Sequence, residues 1–97
     1  MIVAFSVAPM TGGGSVSEQV AAAVRVVRES GLPNRTSSMF TEIEGEWDEV
    51  MDVVKRATEA AGAGAPRVSL VLKADIRPGH TGELDGKVER VERRLAD

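Results

Sequence analysis

Apolar and polar residues alternate along two segments of the chain, and a repeat of two residues indicates a β-strand with one buried face. Residues 2–8 place three larger apolar side chains on one side, namely Val3, Phe5 and Val7. The alternation is clearest in residues 67–77, whose aliphatic row comprises Val68, Leu70, Leu72, Ala74 and Ile76. Because a shift of one residue would turn that row to the opposite face, the register of this strand is well determined.

Two other segments repeat with the period of an amphipathic helix. The first follows SVSE, in which Ser15 and Glu18 match a capping box, and it is predicted to end near Ser30, just before a glycine. The second is predicted from Gly45 to about Ala61, with acids near its start, where the helix dipole favours negative charge. Both stripes consist mainly of valine and alanine, so each helix is predicted to pack one face on the core.

Weaker patterns complete the order of the elements. Residues 35–40 (RTSSMF) and 41–45 (TEIEG) are predicted as short strands because of their β-branched and aromatic residues. A loop is predicted at 78–86, followed by a short, charged helix with an apolar stripe at Val88, Val91 and Leu95. The order β-α-β-β-α-β with a final helix predicts an α+β, ferredoxin-like fold. This is a four-stranded antiparallel sheet with both main helices on one face, here as a single domain over residues 1–97.

The parity of the strands decides which side chains point away from the two main helices, on what we call the open face of the sheet. If the helices cover Ile43, then Glu42 and Glu44 project from the opposite side. The open face is predicted to contain Ile2, Ala4, Ser6, Glu42, Glu44, Ser69, Val71, Lys73 and Asp75. An apolar centre with charges of both signs is typical of a covered surface, and we predict sheet-to-sheet packing in a symmetric homo-oligomer. A solvated face with a few aliphatic residues is the alternative.

Composition narrows the range of functions. The chain has 97 residues, 42% of them apolar, a formal net charge of -3 and no cysteine. These values predict a small cytoplasmic protein without disulfides or thiol catalysis, and the apolar first ten residues lack the basic start and the length of a signal peptide or membrane span. Histidine occurs once, at His80 in a predicted loop. Neither a metal site nor a nucleophile with a general base is therefore predicted, no cofactor is implied, and the protein is expected not to be an enzyme.

Two other functions of the same fold are disfavoured by the residues present. An acylphosphatase-like enzyme would need an arginine in the loop after the first strand, and APMTGGGSVS has none. An RNA-binding domain would need exposed aromatic residues for base stacking, whereas this chain has two phenylalanines and no tyrosine. The lack of a basic tract also argues against nucleic acid as a partner.

Three longer stretches resemble the small thiamine-binding protein family, ferredoxin-like chains long grouped as an uncharacterised protein family. They are FSVAPMTGGGSVSEQVAAAVRVVRESGL, MFTEIEGEWDEVMDVVKRA and RVSLVLKADIRPGHTGELDGKVERV, and together they cover nearly the whole chain. The resemblance implies dimers that pair into tetramers through their sheets. It also implies binding of thiamine, or of a related pyrimidine-containing molecule, in pockets between subunits, with no reaction.

Thiamine has a permanently cationic thiazolium ring and a flat aminopyrimidine, so its pocket should offer a carboxylate, hydrogen-bonding groups and an apolar wall. Glu42 and Glu44 can supply negative charge, and the hydroxyls of Ser6 and Thr41 can hydrogen-bond. The predicted ligand-binding residues are Ser6, Thr41, Glu42, Glu44, Lys73 and Asp75. An assembly module without a ligand is the alternative function. In that case Lys73 would pair with Glu42 or Glu44, and Asp75 with Arg77 or a neighbouring subunit.

Overall fold

Four strands and three helices follow one another in the part of the chain that the structure, a computed structural model, describes: residues 1–11 and 16–97. They are β1 (Ile2–Met10), α1 (Ser17–Glu29), β2 (Asn34–Thr36), β3 (Thr41–Glu44), α2 (Trp47–Ala61), β4 (Arg67–Asp75) and α3 (Glu83–Ala96). The strands form one sheet in the order β2-β3-β1-β4, and each neighbouring pair is antiparallel. This is the ferredoxin-like α+β fold predicted from the order of the elements.

The strand register confirms the predicted parity. Val3 lies opposite Ile43 on β3 and Ala74 on β4, so these three residues have the same parity, and α1 and α2 bury the first two. Ala4 lies opposite Glu42 and Lys73, which therefore share the open face. Because side chains alternate across a strand, these two rows determine the face of every other paired residue.

The core lies between the sheet and the two main helices. The buried cluster comprises Val3, Phe5, Ala23, Val27, Ile43, Val50, Val53, Val54, Ala57 and Ala61. Burial of each larger apolar side chain contributes about 1.5–3 kcal/mol. At the start of α2 the Glu46 N–H donates to the Glu49 carboxylate at 3.1 Å, which satisfies one of the free donors of a helix end. The capping box predicted at Ser15 lies outside the described residues, and α1 begins at Ser17.

Two strands differ in length from their predictions. β1 continues beyond residue 8, where the predicted strand ended, and pairs with β4 through Pro9 as far as Met10. Among the described strands, β3 pairs with β1 only over residues 2–5 of β1. The later part of β1 therefore pairs with β4 on one side, and its other side is an edge of the described sheet. Proline lacks the N–H required inside a sheet but is tolerated along such an edge. β2 is shorter than predicted, and residues 37–40 form a turn in which the Ser37 N–H donates to the Phe40 carbonyl.

α3 begins at Glu83, inside the segment that the sequence predicted as a loop. Its first turn packs beside β3 and buries Leu84, whereas all residues from 87 to 97 are exposed. The helix therefore extends beyond the sheet. The radius of gyration is 14.8 Å, compared with about 12.5 Å for a compact chain of this length. Within residues 1–11 and 16–97, none of the helices has the length and apolar character needed to cross a membrane.

Candidate functional site

A cleft lies between the open face of the sheet and the first turns of α3. It encloses about 490 Å³ and is lined by Ile2, Ala4, Glu42, Lys73, Ala74, Asp75, Glu83, Leu84, Lys87 and Val88. The sheet and α3 each contribute aliphatic side chains to an apolar wall, and the charged groups are of both signs. A concave space of this size with an apolar wall and a few polar groups is typical of small-molecule sites.

Glu42 places a carboxylate in this cleft. The residue is half-buried, and among residues 1–11 and 16–97 its side chain takes part in no hydrogen bond or ion pair. Its cross-strand neighbour on β2, Arg35, directs its guanidinium to Asp85 of α3 instead, at 2.5 Å. Because partial burial penalises an unpaired charge, the Glu42 carboxylate favours the approach of a cation.

Lys73 faces Glu42 across the width of β1. Both residues lie opposite Ala4, on the two different neighbours of β1. Their backbones are therefore two strand spacings apart, roughly 9.6 Å. Within the described ranges Lys73 forms no ion pair, so the predicted pairing of Lys73 with Glu42 or Glu44 is not formed inside the chain. The cleft thus has an unpaired charge of each sign on opposite sides of β1.

Two further carboxylates of the cleft are already ion-paired. Asp75 accepts a hydrogen bond from Lys87 of α3, whereas the assembly alternative named Arg77 or a neighbouring subunit as its partner. This hydrogen bond and the charge of Lys87 lower the pKa of Asp75. Glu83 accepts a hydrogen bond of 2.6 Å from Arg90, which lowers the pKa of Glu83 although partial desolvation opposes the shift. Both groups are therefore ionised and partnered at neutral pH.

Glu44 was predicted to bind the ligand, but it is not among the residues that line the cleft. It points away from α1 and α2, as the parity predicted, but α3 covers it and only 6% of the residue is exposed. Its two carboxylate oxygens accept hydrogen bonds from the backbone N–H groups of Glu83, at 2.8 Å, and Leu84, at 3.1 Å. The first N–H groups of a helix have no partner within the helix, and a carboxylate is their preferred acceptor. Glu44 therefore anchors the start of α3, in place of the predicted ligand contact.

Thr41 and Ser6 do not line the cleft. Thr41 pairs with Phe5, so it lies on the helix-covered face, where it is buried. It lines a separate cleft of about 210 Å³ beside α1, which Ser6 also borders. Ser6 belongs to the open-face row, opposite Val71 and farther along β1. Of the six predicted residues, the structure brings three together in the cleft: Glu42, Lys73 and Asp75.

The sequence-based prediction missed the contribution of α3 to this site. Glu83, Leu84, Lys87 and Val88 all line the cleft, yet the first two fall in the predicted loop. A signal was present, because Leu84 lies four residues before Val88 and extends the apolar stripe of α3 backward at helical spacing. The neighbouring glycines at 82 and 86, which are typical of a loop, obscured it.

Comparison with known sequences identifies the family. The sequence model of a family described as thiamine-binding protein matches residues 3–92. The chain belongs to this family. One relative of this thiamine-binding family member is a UPF0045 protein of Mycobacterium bovis, 58% identical over 96 residues that cover 98% of this chain and 94% of the relative. Another is a UPF0045 protein of Synechocystis, 40% identical over 93 residues that cover 95% of this chain and 77% of the relative. The family resemblance inferred from the sequence is confirmed.

Solved structures of similar proteins have the same fold as this thiamine-binding family member. A hypothetical protein of Methanocaldococcus jannaschii superposes with a TM-score of 0.85 at 28% identity, covering 94% of each chain. A Thermotoga maritima protein assigned provisionally to thiamine biosynthesis or salvage superposes with a TM-score of 0.75 at 28% identity, covering 92% of this chain and 97% of that one. The predicted ferredoxin-like fold is thus confirmed by comparison with crystal structures.

Proposed function

We propose that this protein binds thiamine, or a related cationic molecule that contains a pyrimidine, in the cleft between the open face and α3, without transforming it. The observation that carries the proposal is the half-buried carboxylate of Glu42, which has no partner among the described residues. A cationic ring beside Glu42 neutralises that charge, while the aliphatic wall of the cleft contacts the faces of the rings. Membership of the thiamine-binding family supports this class of ligand.

The contribution of Glu42 to the affinity for a cationic ligand can be estimated. Two unit charges 4 Å apart near a protein surface interact by roughly 4 kcal/mol. After the cost of desolvation, a hydrogen bond that involves a charged group retains about 1.5–3 kcal/mol. Since 1.4 kcal/mol corresponds to a factor of ten in affinity, loss of the Glu42 charge should weaken binding by roughly 10- to 100-fold.

A second copy of the chain is proposed to close the cleft. Val71 on the open face is 56% exposed, and Val91 and Leu95 on the apolar stripe of α3 are 58% and 75% exposed. Exposed aliphatic side chains on both the sheet and α3 are typical of a surface that a partner covers, and α3 extends beyond the sheet in a position to meet another protomer. We therefore propose homo-oligomerisation through the sheets and α3, with dimers pairing into tetramers, so that the ligand lies at a subunit interface.

The residues around the cleft favour binding over catalysis. As far as residues 1–11 and 16–97 form its lining, the cleft is bounded by aliphatic residues, carboxylates and lysines, without a hydroxyl, thiol or imidazole group. A covalent mechanism requires a nucleophile with a general base within hydrogen-bond reach. The proposed function is accordingly that of a binding protein, in which Glu42 and Lys73 orient the ligand.

Isothermal titration calorimetry tests the proposal. We expect saturable heat on titrating the protein with thiamine at neutral pH, and a roughly 10- to 100-fold weaker affinity for the isosteric variant Glu42→Gln. Glu59→Gln is the matched control, because Glu59 is exposed on α2, away from the cleft. Absence of binding at millimolar thiamine would eliminate the proposal. Equal affinities of Glu42→Gln and the unmodified protein would eliminate the role of Glu42.

An assembly module without a ligand is the second candidate, and the exposed aliphatic stripe of α3 favours it. Native mass spectrometry of the purified protein distinguishes the two, because it reports the number of subunits together with any bound small molecule. An oligomer that shows neither a co-purified ligand nor added mass in the presence of thiamine would support the assembly module.

A further inference from the structure

A second, smaller cavity adjoins the cleft at the end of β4. It encloses about 70 Å³ and shares Ile2, Asp75, Glu83 and Lys87 with the lining of the cleft. Its remaining lining residues are Met1, Arg77, His80 and Arg90. The shared residues place the small cavity directly beside the cleft, with Glu42 in the cleft at one end and a group of basic residues in the small cavity at the other.

The basic end carries an excess of positive charge. Three permanent cations line the small cavity: Arg77, Lys87 and Arg90. Two carboxylates oppose them, and each is engaged by one cation, Asp75 by Lys87 and Glu83 by Arg90. Arg77 forms no ion pair in residues 1–11 and 16–97, although it lies near enough to both carboxylates to act on them electrostatically. One guanidinium at this end is therefore free to bind an anion.

The strand geometry determines how far the negative charge of Glu42 lies from the positive charge of Arg77. Asp75 lies opposite Ile2, one open-face row beyond the row that contains Glu42 and Lys73. Successive rows on one face are two residues apart, about 6.7 Å. Arg77 follows two residues after Asp75, beyond the end of β4. A ligand that reaches from Glu42 to Arg77 must therefore be elongated, with its cationic and anionic groups at opposite ends.

We propose that the small cavity binds the phosphate group of a phosphomonoester whose cationic ring lies against Glu42, so that the preferred ligand is the phosphorylated form of the molecule. This inference rests on the proposed function and specifies its ligand. The planar guanidinium of Arg77 matches the geometry of a phosphate and can donate two parallel hydrogen bonds to it. His80 lines the same cavity and offers a further donor, with its Nδ1 4.0 Å from a Glu83 oxygen.

Calorimetry with three probes tests this inference: thiamine, thiamine monophosphate and inorganic phosphate. We expect the monophosphate to bind at least ten times more tightly than thiamine, and inorganic phosphate to compete with the monophosphate but not with thiamine. Arg77→Gln should abolish the preference and leave the affinity for thiamine unchanged. Glu42→Gln should weaken both organic ligands by the same factor.

Arg67→Gln is the matched control, since Arg67 is an exposed arginine at the opposite end of β4, and its loss changes the net charge equally. This control should retain the preference for the monophosphate. If thiamine and its monophosphate bind equally well, or if Arg77→Gln retains the full preference, the inference is overturned while the proposed function stands. If neither ligand binds, the proposed function and this inference fail together. Far-ultraviolet circular dichroism of each variant ensures that folded proteins are compared.

Discussion

Removal of the Glu44 side chain should release α3 from the sheet. In Glu44→Ala, the N–H groups of Glu83 and Leu84 lose the acceptors that they reach at 2.8 and 3.1 Å. An unsatisfied buried donor costs about 1–3 kcal/mol, and a carboxylate near a helix N-terminus contributes a further 0.3–1 kcal/mol, approximately, through the helix dipole. Since water can reach part of the freed helix end, we expect a loss of about 2–4 kcal/mol in the free energy of docking α3.

The remaining contacts of α3 do not compensate for such a loss. In the part of the chain that the structure describes, its other polar links to the sheet are the exposed ion pairs Arg35–Asp85 and Lys87–Asp75. Exposed pairs of this kind contribute about 0–1 kcal/mol each. The effect of the substitution should therefore be local, with α3 opening while the core between the sheet and the two main helices stays folded.

Hydrogen exchange followed by mass spectrometry measures this effect. In Glu44→Ala the amides of α3 should exchange about 30- to 1000-fold faster than in the unmodified protein, because each 1.4 kcal/mol is a factor of ten in the opening equilibrium. Amides of α2 should be unaffected. Glu44→Gln, which keeps one acceptor oxygen, should show an intermediate effect, and Glu59→Gln on α2 should show none. Unchanged exchange of α3 in Glu44→Ala would refute the anchoring role of Glu44.

Four further substitutions have measurable outcomes. Gly62→Ala brings the new methyl carbon 2.4 Å from a valine of β4; urea denaturation should show a loss of about 1–3 kcal/mol, and an unchanged midpoint would contradict this close approach. Gly86→Ala should raise the free energy of unfolding by about 0.5–1 kcal/mol, because in α3 the methyl meets only a flexible arginine at 3.6 Å; a loss of stability would show that this helix position is crowded. The hydrogen bond from a lysine lowers the pKa of Asp75 below its ordinary value of 3.8, so its stabilising effect is present above that pH and is lost as the pH falls through the lowered value. Asp75→Asn should accordingly make the midpoint of thermal unfolding less dependent on pH at acidic pH. An unchanged pH dependence of this midpoint would argue against the ion pair. Val91→Glu should reduce the subunit number seen by native mass spectrometry, and an unchanged mass would exclude the α3 stripe from the oligomer interface.

The parity of the open face could be read from the sequence because it depends only on local alternation. The aliphatic row of β4 has one favourable register, and this places Lys73 and Asp75 on the face opposite the helices. The same reasoning applied to β3 placed Glu42 correctly beside them. Five of the residues that line the cleft, these three together with Ile2 and Ala4, were therefore predictable before any coordinates, as was the side of the sheet on which the cleft lies.

The roles of Glu44 and Pro9 could not be read in this way. Whether Glu44 meets a ligand or a helix depends on where a segment 39 residues later in the chain begins its helix. Whether Pro9 ends β1 depends on how far β3 extends on the neighbouring edge. Thr41, in contrast, was chosen for its hydroxyl, although the same alternation places it with Ile43 on the helix-covered face, where the structure buries it opposite Phe5. The outcomes for Glu44 and Pro9 are set by contacts between segments that are distant in sequence.

The sequence by itself therefore determined the order of the elements, the fold and the faces of the strands, because hydrophobic periodicity is a local property that one register satisfies best. Only the tertiary structure decided that α3 covers part of the open face, that Glu44 is used to hold it there, and that Glu42 lacks a partner in the described chain. Hydrogen bonds between distant backbone and side-chain groups leave no periodic signal in the sequence, so the availability of a carboxylate becomes visible only when its neighbours in space are known.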